Sequence, residues 1–359
     1  MNHGGGPAVG RSMWRPSISL FLVLLLAGLV RGQSRVEICC GPPPPAWEGL
    51  QDERGAWDVD ALRPALPGYL PARTDRDLEV TALAALLFLG EGNLPDSGFT
   101  KARLAKALAF LLGQQRPDGG FGCADLADEG LVIFTLAEAY RRSFPEPDSL
   151  AALAEPVGGE VALTTALQRA VGQLERRSRW SGGWSLDGER SGPLDPVATL
   201  WAGLAMESAR QSGLADTAAL LARTLRALRL APGSTDRARV AGWVLQAAVG
   251  ERPEVAVYLD ELREDPDAQA RDHELMLLVS LLSRFLGEEQ SRAQDRVMKL
   301  AIERTNPFHR TWRDLAEERE VAPEDVAALE ASPLSLEELL YRNLTLLSYF
   351  RYGILIGWE

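Results

Sequence analysis

The sequence predicts an all-α protein of about twelve helices, and three observations support this class. From Asp77 onward, apolar residues recur at helical spacing in one segment after another. Short breaks that contain Gly, Pro or Asp separate these segments. No segment shows the alternation of apolar and polar residues that is typical of a half-buried strand. Since the chain has 359 residues and is 46% hydrophobic, it can bury a large core.

The N-terminal segment, residues 1–32, has the features of a secretory signal peptide. Arg11 and Arg15 precede the apolar run Ile18–Val30, and small residues suit a cleavage before Gln33. A membrane span needs about 20 apolar residues, so this run is short for an anchor. We therefore expect export to the periplasm, the cell envelope or the medium. An uncleaved signal that anchors the protein in the membrane is the alternative.

Residues 33–76 are rich in Pro and Gly and lack sustained periodicity. This composition predicts an extended arm ahead of the helical domain. We expect the aromatic side chains of Trp47 and Trp57 to dock on that domain.

The chain has three cysteines, Cys39, Cys40 and Cys123. An odd number gives no complete disulfide framework. One cysteine of the adjacent pair could form a disulfide bond with Cys123 or with a second chain. The second alternative gives a covalent oligomer through Cys39 or Cys40.

Residues 77–359 are expected to form the helical domain, as six hairpins. Two helix starts are well marked, because Asp195 precedes Pro196 and Ser335 precedes Leu336. The expected helices are Leu78–Leu89, Thr100–Gln114, Glu129–Arg142, Val161–Arg176, Pro196–Gln211, Thr217–Leu228, Arg237–Val249, Pro253–Leu262, His273–Leu286, Glu289–Glu303, Pro323–Ala331 and Leu336–Tyr352.

A repeat of helix, glycine turn and helix links two parts of this domain. The segment that starts at Lys106 aligns without a gap with the segment that starts at Arg169. We expect the turn glycines to adopt positive φ and pack closely, and the aromatic residue to cover a helix end. Gln115 can satisfy backbone groups that the helix end leaves open. The aligned turn residues are Gly119, Gly120 and Phe121 in the first copy and Gly182, Gly183 and Trp184 in the second.

The first turn, Lys106–Phe121, resembles the QW motif of the terpenoid cyclase and protein prenyltransferase superfamily. Its pattern is K-A-x-x-F-L-x-x-x-Q-x-x-x-G-x-F, and the second copy departs from it where Ser178 aligns with Gln115. The flanking helices resemble those of prenyltransferase/squalene oxidase repeat proteins, which bacteria often export. The resemblance covers roughly residues 77–286. It implies an α/α toroid, in which inner helices line a central funnel and outer helices surround them.

The resemblance also points to one candidate acid. Class II terpene cyclases protonate an isoprenoid with an Asp-x-Asp-Asp motif that is followed by Thr-Ala. The similar stretch here is DLEVTAL, which has Asp77, Glu79, Val80 in place of the third acid, and then Thr81. Glu79 falls on the position of the proton donor. The alternative interpretation is that Asp77 and Glu79 only favour a helix N-terminus.

Other catalytic and metal-binding patterns of these families are missing from the sequence. Asp125 and Asp128 precede a predicted helix without the Asp-Asp-x-x-Asp spacing that holds magnesium, so capping is the simpler role. Cys123 and Asp125 reverse the order of the prenyltransferase zinc ligands, and the chain has only three histidines. We expect no metal and no cofactor.

Three functions remain open from the sequence. Nucleic-acid binding is excluded, because the net charge is −12 and no basic stripe is present. We favour a non-catalytic binding or scaffold protein whose funnel holds a peptide, a glycan or a lipid. An isoprenoid cyclase-like or prenyltransferase-like enzyme predicts a deep apolar cavity lined by aromatics, whereas a structural envelope component predicts a filled funnel. Three aromatic side chains either line the funnel or lie in the core: Trp184, Trp201 and Trp243.

Overall fold

The structure is a computed structural model, and it describes most of the predicted helical domain. All described residues belong to the unit Pro42–Glu359. The expected signal peptide, Cys39, Cys40 and Trp47 lie outside the described residues, as do most of the expected helices Pro253–Leu262 and Glu289–Glu303. The described residues are 51–57, 69–70, 76–230, 235–251, 253, 255, 272–285, 299, 301–308, 310–311, 314 and 320–350.

The described chain is mostly helical and has almost no strand, which confirms the all-α class. Residues 301–308 are helical in addition to the labelled helices. A 3₁₀ turn, Glu155–Val157, follows α4. The helices are α1 (Asp77–Gly90), α2 (Lys101–Gly113), α3 (Leu126–Ser143), α4 (Pro147–Ala154), α5 (Glu160–Arg177), α6 (Pro196–Gln211), α7 (Ala218–Leu230), α8 (Asp236–Ala248), α9 (His273–Phe285), α10 (Pro323–Ala331) and α11 (Leu336–Phe350).

Two features of the described fold were not predicted. Helix α4 has eight residues, which is too short for a clear helical period, although Pro147 marks its start. The strands β1 (Tyr69–Leu70) and β2 (Leu334–Ser335) form a parallel pair of two residues each. A pairing this short leaves no alternation in the sequence, and its two strands are far apart in the chain.

None of the described helices is long and apolar enough to span a membrane alone. The segments Pro147–Val157 and Glu160–Arg177 reach the necessary length and apolar composition only when they are taken together, and they are bent by 74° where they meet.

The helices fall into two groups by burial. In α1, every residue from Glu79 to Gly90 is buried, and α3 and α6 are also buried on nearly all faces. In α5, by contrast, the buried residues follow the spacing of a single helical face, from Leu163 to Leu174. A helix that is apolar on all sides must be surrounded by other helices. The continuous apolar runs of the first group therefore place those helices in the centre.

The buried helices contact one another in a closed order. Helix α1 contacts α3, α3 contacts α6, α6 contacts α8, α8 contacts α9, α9 contacts α11, and α11 contacts α1 again. Helix α2 packs against α1 and α3, α5 packs against α3 and α6, and α7 packs against α6 and α8. The seam between the last helix and the first also carries the β1–β2 pair and an ion pair between Arg76 and Glu337.

The contact between α3 and α6 is unusually close, because glycine lies at the crossing. A Cβ on Gly130 would lie 2.7 Å from the backbone nitrogen of Ala202. Further along α6, a Cβ on Gly203 would lie 2.5 Å from a methyl group of Leu245 on α8. Real Cβ atoms do not approach backbone this closely, so these helices would have to separate to admit a side chain.

In the first repeat turn, glycine and glutamine join the turn to α5. Gly119 has a φ of +98°, and a Cβ there would lie 2.4 Å from the carbonyl oxygen of Arg169. The Nε2 of Gln115 donates to the carbonyl oxygens of Gly119 at 3.2 Å and of Ala166 at 2.8 Å. The buried Phe121 donates its backbone N–H to Glu129 on α3. The turn thus connects α2 to α5 and to α3.

The second repeat turn makes equivalent contacts with α7 and α6. Gly182 has a φ of +96°, and its Cβ would lie 2.5 Å from the carbonyl oxygen of Arg223. Thr199 on α6 accepts the backbone N–H of Trp184 at 3.0 Å. Ser178, which aligns with Gln115, donates its hydroxyl group to a carbonyl oxygen of its own helix and does not reach α7. The hydrogen bond between this turn and α7 is instead made by Thr224, which accepts the backbone N–H of Gly183.

A third turn of this kind precedes α1, where the sequence analysis did not identify it. Gln51 donates to the carbonyl oxygens of Gly55 and of Arg103, both at 3.0 Å. Gly55 has a φ of +96°, and its Cβ would lie 2.3 Å from the carbonyl oxygen of Lys106. Trp57 is fully buried against Phe88, as expected for a docked aromatic residue. The pattern G-x-aromatic therefore occurs in three turns, and a glutamine stands four residues before the glycine in two of them, at Gln51 and Gln115.

The close crossing of α3 and α6 predicts a clear effect of adding one methyl group. The Gly130→Ala variant should lose about 1–3 kcal/mol of unfolding free energy, because the two helix backbones must move apart. Gly172, inside α5, is the control, since its Cβ would meet only the end of the Arg176 side chain at 3.4 Å. Gly172→Ala should be neutral or stabilise by up to ~1 kcal/mol. Urea denaturation of both variants tests this, and equal stability would contradict it.

The link made by Gln115 predicts a second effect on stability. Replacing it with alanine removes two hydrogen bonds to backbone carbonyl groups, which should cost about 1–3 kcal/mol. The neighbouring Gln114 is exposed, so Gln114→Ala should change stability by less than ~0.5 kcal/mol. Thermal unfolding of the two alanine variants measures the difference. A loss of similar size in both would show that the turn does not depend on this side chain.

Candidate functional site

The first turns of the six helices in the closed contact order surround one cavity of about 320 Å³. Its lining is mainly polar, with six carboxyl groups and two guanidinium groups among the described residues. Leu186, in the loop before α6, adds an apolar contact. The side chains that matter below are Arg76 and Glu79 at the start of α1, Asp125 and Asp128 of α3, Asp195 and Trp201 of α6, Arg237 of α8, His273 and Glu274 of α9, and Glu337 and Tyr341 of α11.

Helix capping explains why so many acids meet here. Asp125 accepts the backbone N–H of Asp128 at 2.9 Å, and Asp195 accepts that of Ala198 at 2.8 Å. Acidic side chains are favoured at helix N-termini, because they bond open N–H groups and lie at the positive end of the helix dipole. Since all six helices direct their N-termini to one space, preferences that are local to each helix gather carboxyl groups in the cavity.

Arg76 connects two of these carboxyl groups across the seam between α1 and α11. Its Nη1 donates to Oε1 of Glu337 at 3.0 Å. The same nitrogen lies 3.0 Å from Oε2 of Glu79, but not in the geometry of a hydrogen bond. The two carboxyl groups are therefore close together, and only Glu337 receives a hydrogen bond from this guanidinium group.

The pKa values of the two carboxyl groups next to Arg76 are shifted in opposite directions. Burial raises the pKa of Glu79 well above its usual value, and the carboxylates of Glu337 and Asp128 raise it further, against the opposing effect of Arg76. Burial also raises the pKa of Glu337, but His273 and Arg76 outweigh it and hold this pKa below the usual value. The Nε2 of His273 lies 3.9 Å from Oε1 of Glu337. Of the two, Glu79 therefore holds its proton to the higher pH.

Arg237 organises the other side of the cavity. It donates to Oε2 of Glu274 at 2.6 Å and to Oδ2 of Asp272 at 2.8 Å. Burial raises the pKa of Glu274, although Arg237 opposes the shift. Burial and the surrounding carboxylates raise the pKa of Tyr341 well above its usual value, so its hydroxyl group stays protonated as a donor. Its ring centroid is 5.2 Å from that of His273.

Of the three tryptophans considered from sequence, Trp201 lines the cavity. Its ring packs against Phe134, with 6.1 Å between the centroids. Trp184 is fully buried and donates its indole N–H to the carbonyl oxygen of Leu174, so it belongs to the turn. Trp243 is half-buried against the core and does not line the cavity.

The acids considered from sequence also fall into two groups. Glu79, Asp125 and Asp128 line the cavity, whereas Asp77 does not. Asp125 caps α3, which was the simpler of its two interpretations. The sequence analysis did not connect them with Glu337 or with the other first-turn residues of α6, α8, α9 and α11. The available signal was a charged residue at the start of each long apolar segment.

The described residues do not form a metal site. No group of three or more His, Cys, Asp or Glu side chains in the described ranges is arranged to hold a metal ion. Cys123 is a free thiol, and burial together with the nearby carboxylates raises its pKa, so it stays protonated. The groups that the described cavity offers to a ligand are its carboxyl groups, its two arginines, His273 and the aromatic side chains.

Comparison with protein-family models and with curated proteins finds no match to this chain. The resemblance to prenyltransferase/squalene oxidase repeat proteins therefore rests on the residues of the turns and their flanking helices.

The raised pKa of Glu79 predicts a pH dependence of stability. The folded chain holds this proton to higher pH than the unfolded chain, so unfolding free energy is lost as pH rises from the usual pKa of a glutamic acid through the raised value. Gln mimics the protonated acid. Relative to Glu79→Gln, the unmodified protein should therefore lose stability with rising pH, by at most about 1.4 kcal/mol per pH unit.

Denaturant unfolding between about pH 5 and pH 8 measures this difference. The exposed Glu175 of α5 provides the matched control, and Glu175→Gln should show a constant offset from the unmodified protein. Parallel curves for the unmodified protein and Glu79→Gln would contradict a buried neutral acid at this position.

Proposed function

We propose that residues 77–359 form an α/α toroid and that its central cavity binds a small polar ligand, so that the protein acts as an exported binding or scaffold protein. The closed order of contacts among α1, α3, α6, α8, α9 and α11 supports this architecture. The pattern of outer helices, each packed on two inner neighbours, agrees with it. The proposal of export rests on the signal-like sequence of residues 1–32 alone.

The charged side chains that line the cavity support the proposal of a polar ligand. Burial of a carboxyl or guanidinium group costs free energy unless new hydrogen-bond partners replace the water that the group gives up. A bound molecule with polar groups can supply those partners. A lipid chain offers no such partners, whereas the hydroxyl, amide or amino groups of a glycan or a peptide do. Among the three ligand classes expected from sequence, the lining therefore favours the polar two.

The enzyme alternative has one observation in its favour. Glu79 occupies the position that the resemblance gives to a proton donor, and its carboxyl group is buried and has a raised pKa. An isoprenoid, however, needs a deep apolar pocket, and the charged groups of α1, α9 and α11 line the space around this acid. The structural alternative predicted a filled funnel, which an open volume of about 320 Å³ does not favour.

Native mass spectrometry tests the proposal on the full chain purified from its own host. We expect a bound small polar molecule. Ala127 lines the cavity, so Ala127→Trp should fill part of it and remove that molecule. Ala219→Trp, on the exposed side of α7, should keep it. A bound isoprenoid or lipid, or a molecule that persists in Ala127→Trp, would overturn the proposal.

A further inference from the structure

We infer that the ligand carries a primary ammonium group, which binds among the carboxyl groups where α1, α3 and α11 meet. The inference rests on the proposed function, because it names the chemical class that the cavity takes. It depends on three observations: an excess of carboxyl groups over cationic side chains, a buried carboxyl oxygen without a hydrogen bond, and aromatic side chains in the same lining.

Carboxyl groups outnumber the cationic side chains of the cavity. The described lining has six carboxyl groups against two arginines and one histidine. Arg237 is shared between Glu274 and Asp272, the second of which adds a further acid at the edge of the site. Arg76 donates to Glu337. The helix N-termini offset part of the negative charge, but an organic cation would offset it more directly.

Glu79 provides the specific contact for such a cation. Its side chain is only 4% exposed, and among the described residues its Oε2 accepts no hydrogen bond. Arg76 is near but not in line with this oxygen. An ammonium group has three N–H donors, so it can reach Oε2 of Glu79 and the neighbouring carboxylates of Glu337 and Asp128 together.

The remaining lining suits an organic cation of modest size. Trp201 and Tyr341 place aromatic rings in the wall, and aromatic rings attract ammonium groups. The hydroxyl group of Tyr341 can donate a hydrogen bond to a polar body, and the cap carboxylates of Asp125 and Asp195 can accept hydrogen bonds from it. The volume admits a small molecule with a single ring or a short side chain.

Binding of a cation should release a proton. Burial and the neighbouring carboxylates favour the protonated form of Glu79 in the free protein. An ammonium group stabilises the ionised form, so binding shifts Glu79 towards release of its proton. Affinity should therefore rise with pH until the amine itself loses its proton. The titratable and charged groups that face Glu79 are Arg76 of its own helix, Asp125 and Asp128 of α3, Asp195 of α6, Arg237 of α8, His273 and Glu274 of α9, and Glu337 and Tyr341 of α11.

Isothermal titration of the full chain with matched probes tests the inference at about pH 6.5, where both amines are charged. One pair is glucosamine and glucose, and the other is Nα-acetyl-lysine amide and Nα-acetyl-norleucine amide. In at least one pair, the amine should bind about tenfold or more tightly than its neutral twin, because it gains charge-assisted hydrogen bonds. The pair that responds identifies the source of the amine as a sugar or a basic side chain.

Proton release is measured by repeating the titration in two buffers of different ionisation enthalpy. The amine should release up to one proton, and Glu79→Gln should abolish that release and weaken binding about tenfold or more. Glu175→Gln should change neither quantity. Proton release by the unmodified protein is measured without the variant, so this part of the test remains valid even if Glu79→Gln folds poorly.

The outcomes separate this inference from the proposed function. If a neutral probe binds as tightly as its amine twin, the cavity binds ligands but the inference fails. If neither amine binds, or an amine binds without release of a proton, the inference also fails. The proposed function fails separately, when native mass spectrometry finds no polar molecule that depends on the cavity.

Discussion

The described structure depends on the closure of the helix order between α11 and α1. At that seam, Arg76 donates to Glu337 and also approaches Glu79, while the short β1–β2 pair joins the segments that enter the two helices. Because α11 contacts α1, each of the six helices in the closed contact order has two neighbours from that order. Without this contact, α1 and α11 would expose apolar faces that the sequence makes continuous, and the cavity would lose one wall.

The same closure creates the chemistry of the cavity. A carboxyl group at a helix N-terminus is ordinarily a surface feature that stabilises its own helix by a modest amount. When several such helix ends point into one cavity, the carboxyl groups lose water and repel one another. The free energy of ionising each group then depends on the charges of the others. The result is a raised pKa at Glu79 beside a lowered pKa at Glu337. A local preference that stabilises each helix therefore becomes, in the assembled domain, a site with unsatisfied polar groups.

The sequence predicted the helices far better than it predicted the site. Long apolar segments, the Asp195 and Ser335 caps and the glycine turns determine local structure, and the observed helices follow them closely. The turn at Gln51–Trp57 was not recognised, because the helix that should precede it falls in a stretch rich in proline. The partners of Glu79 could not be read from periodicity, since Arg76 and Glu337 meet through a contact between positions 261 residues apart.

That separation has a consequence for how the protein reaches its folded state. The inner helices α1, α3 and α6 can pack as they are made, but the carboxyl group of Glu337 is supplied by the last described helix. Contacts between distant positions slow folding, because a long loop must close before they form. The wall that Glu337 contributes to the cavity is therefore complete only when α11 has packed against α1.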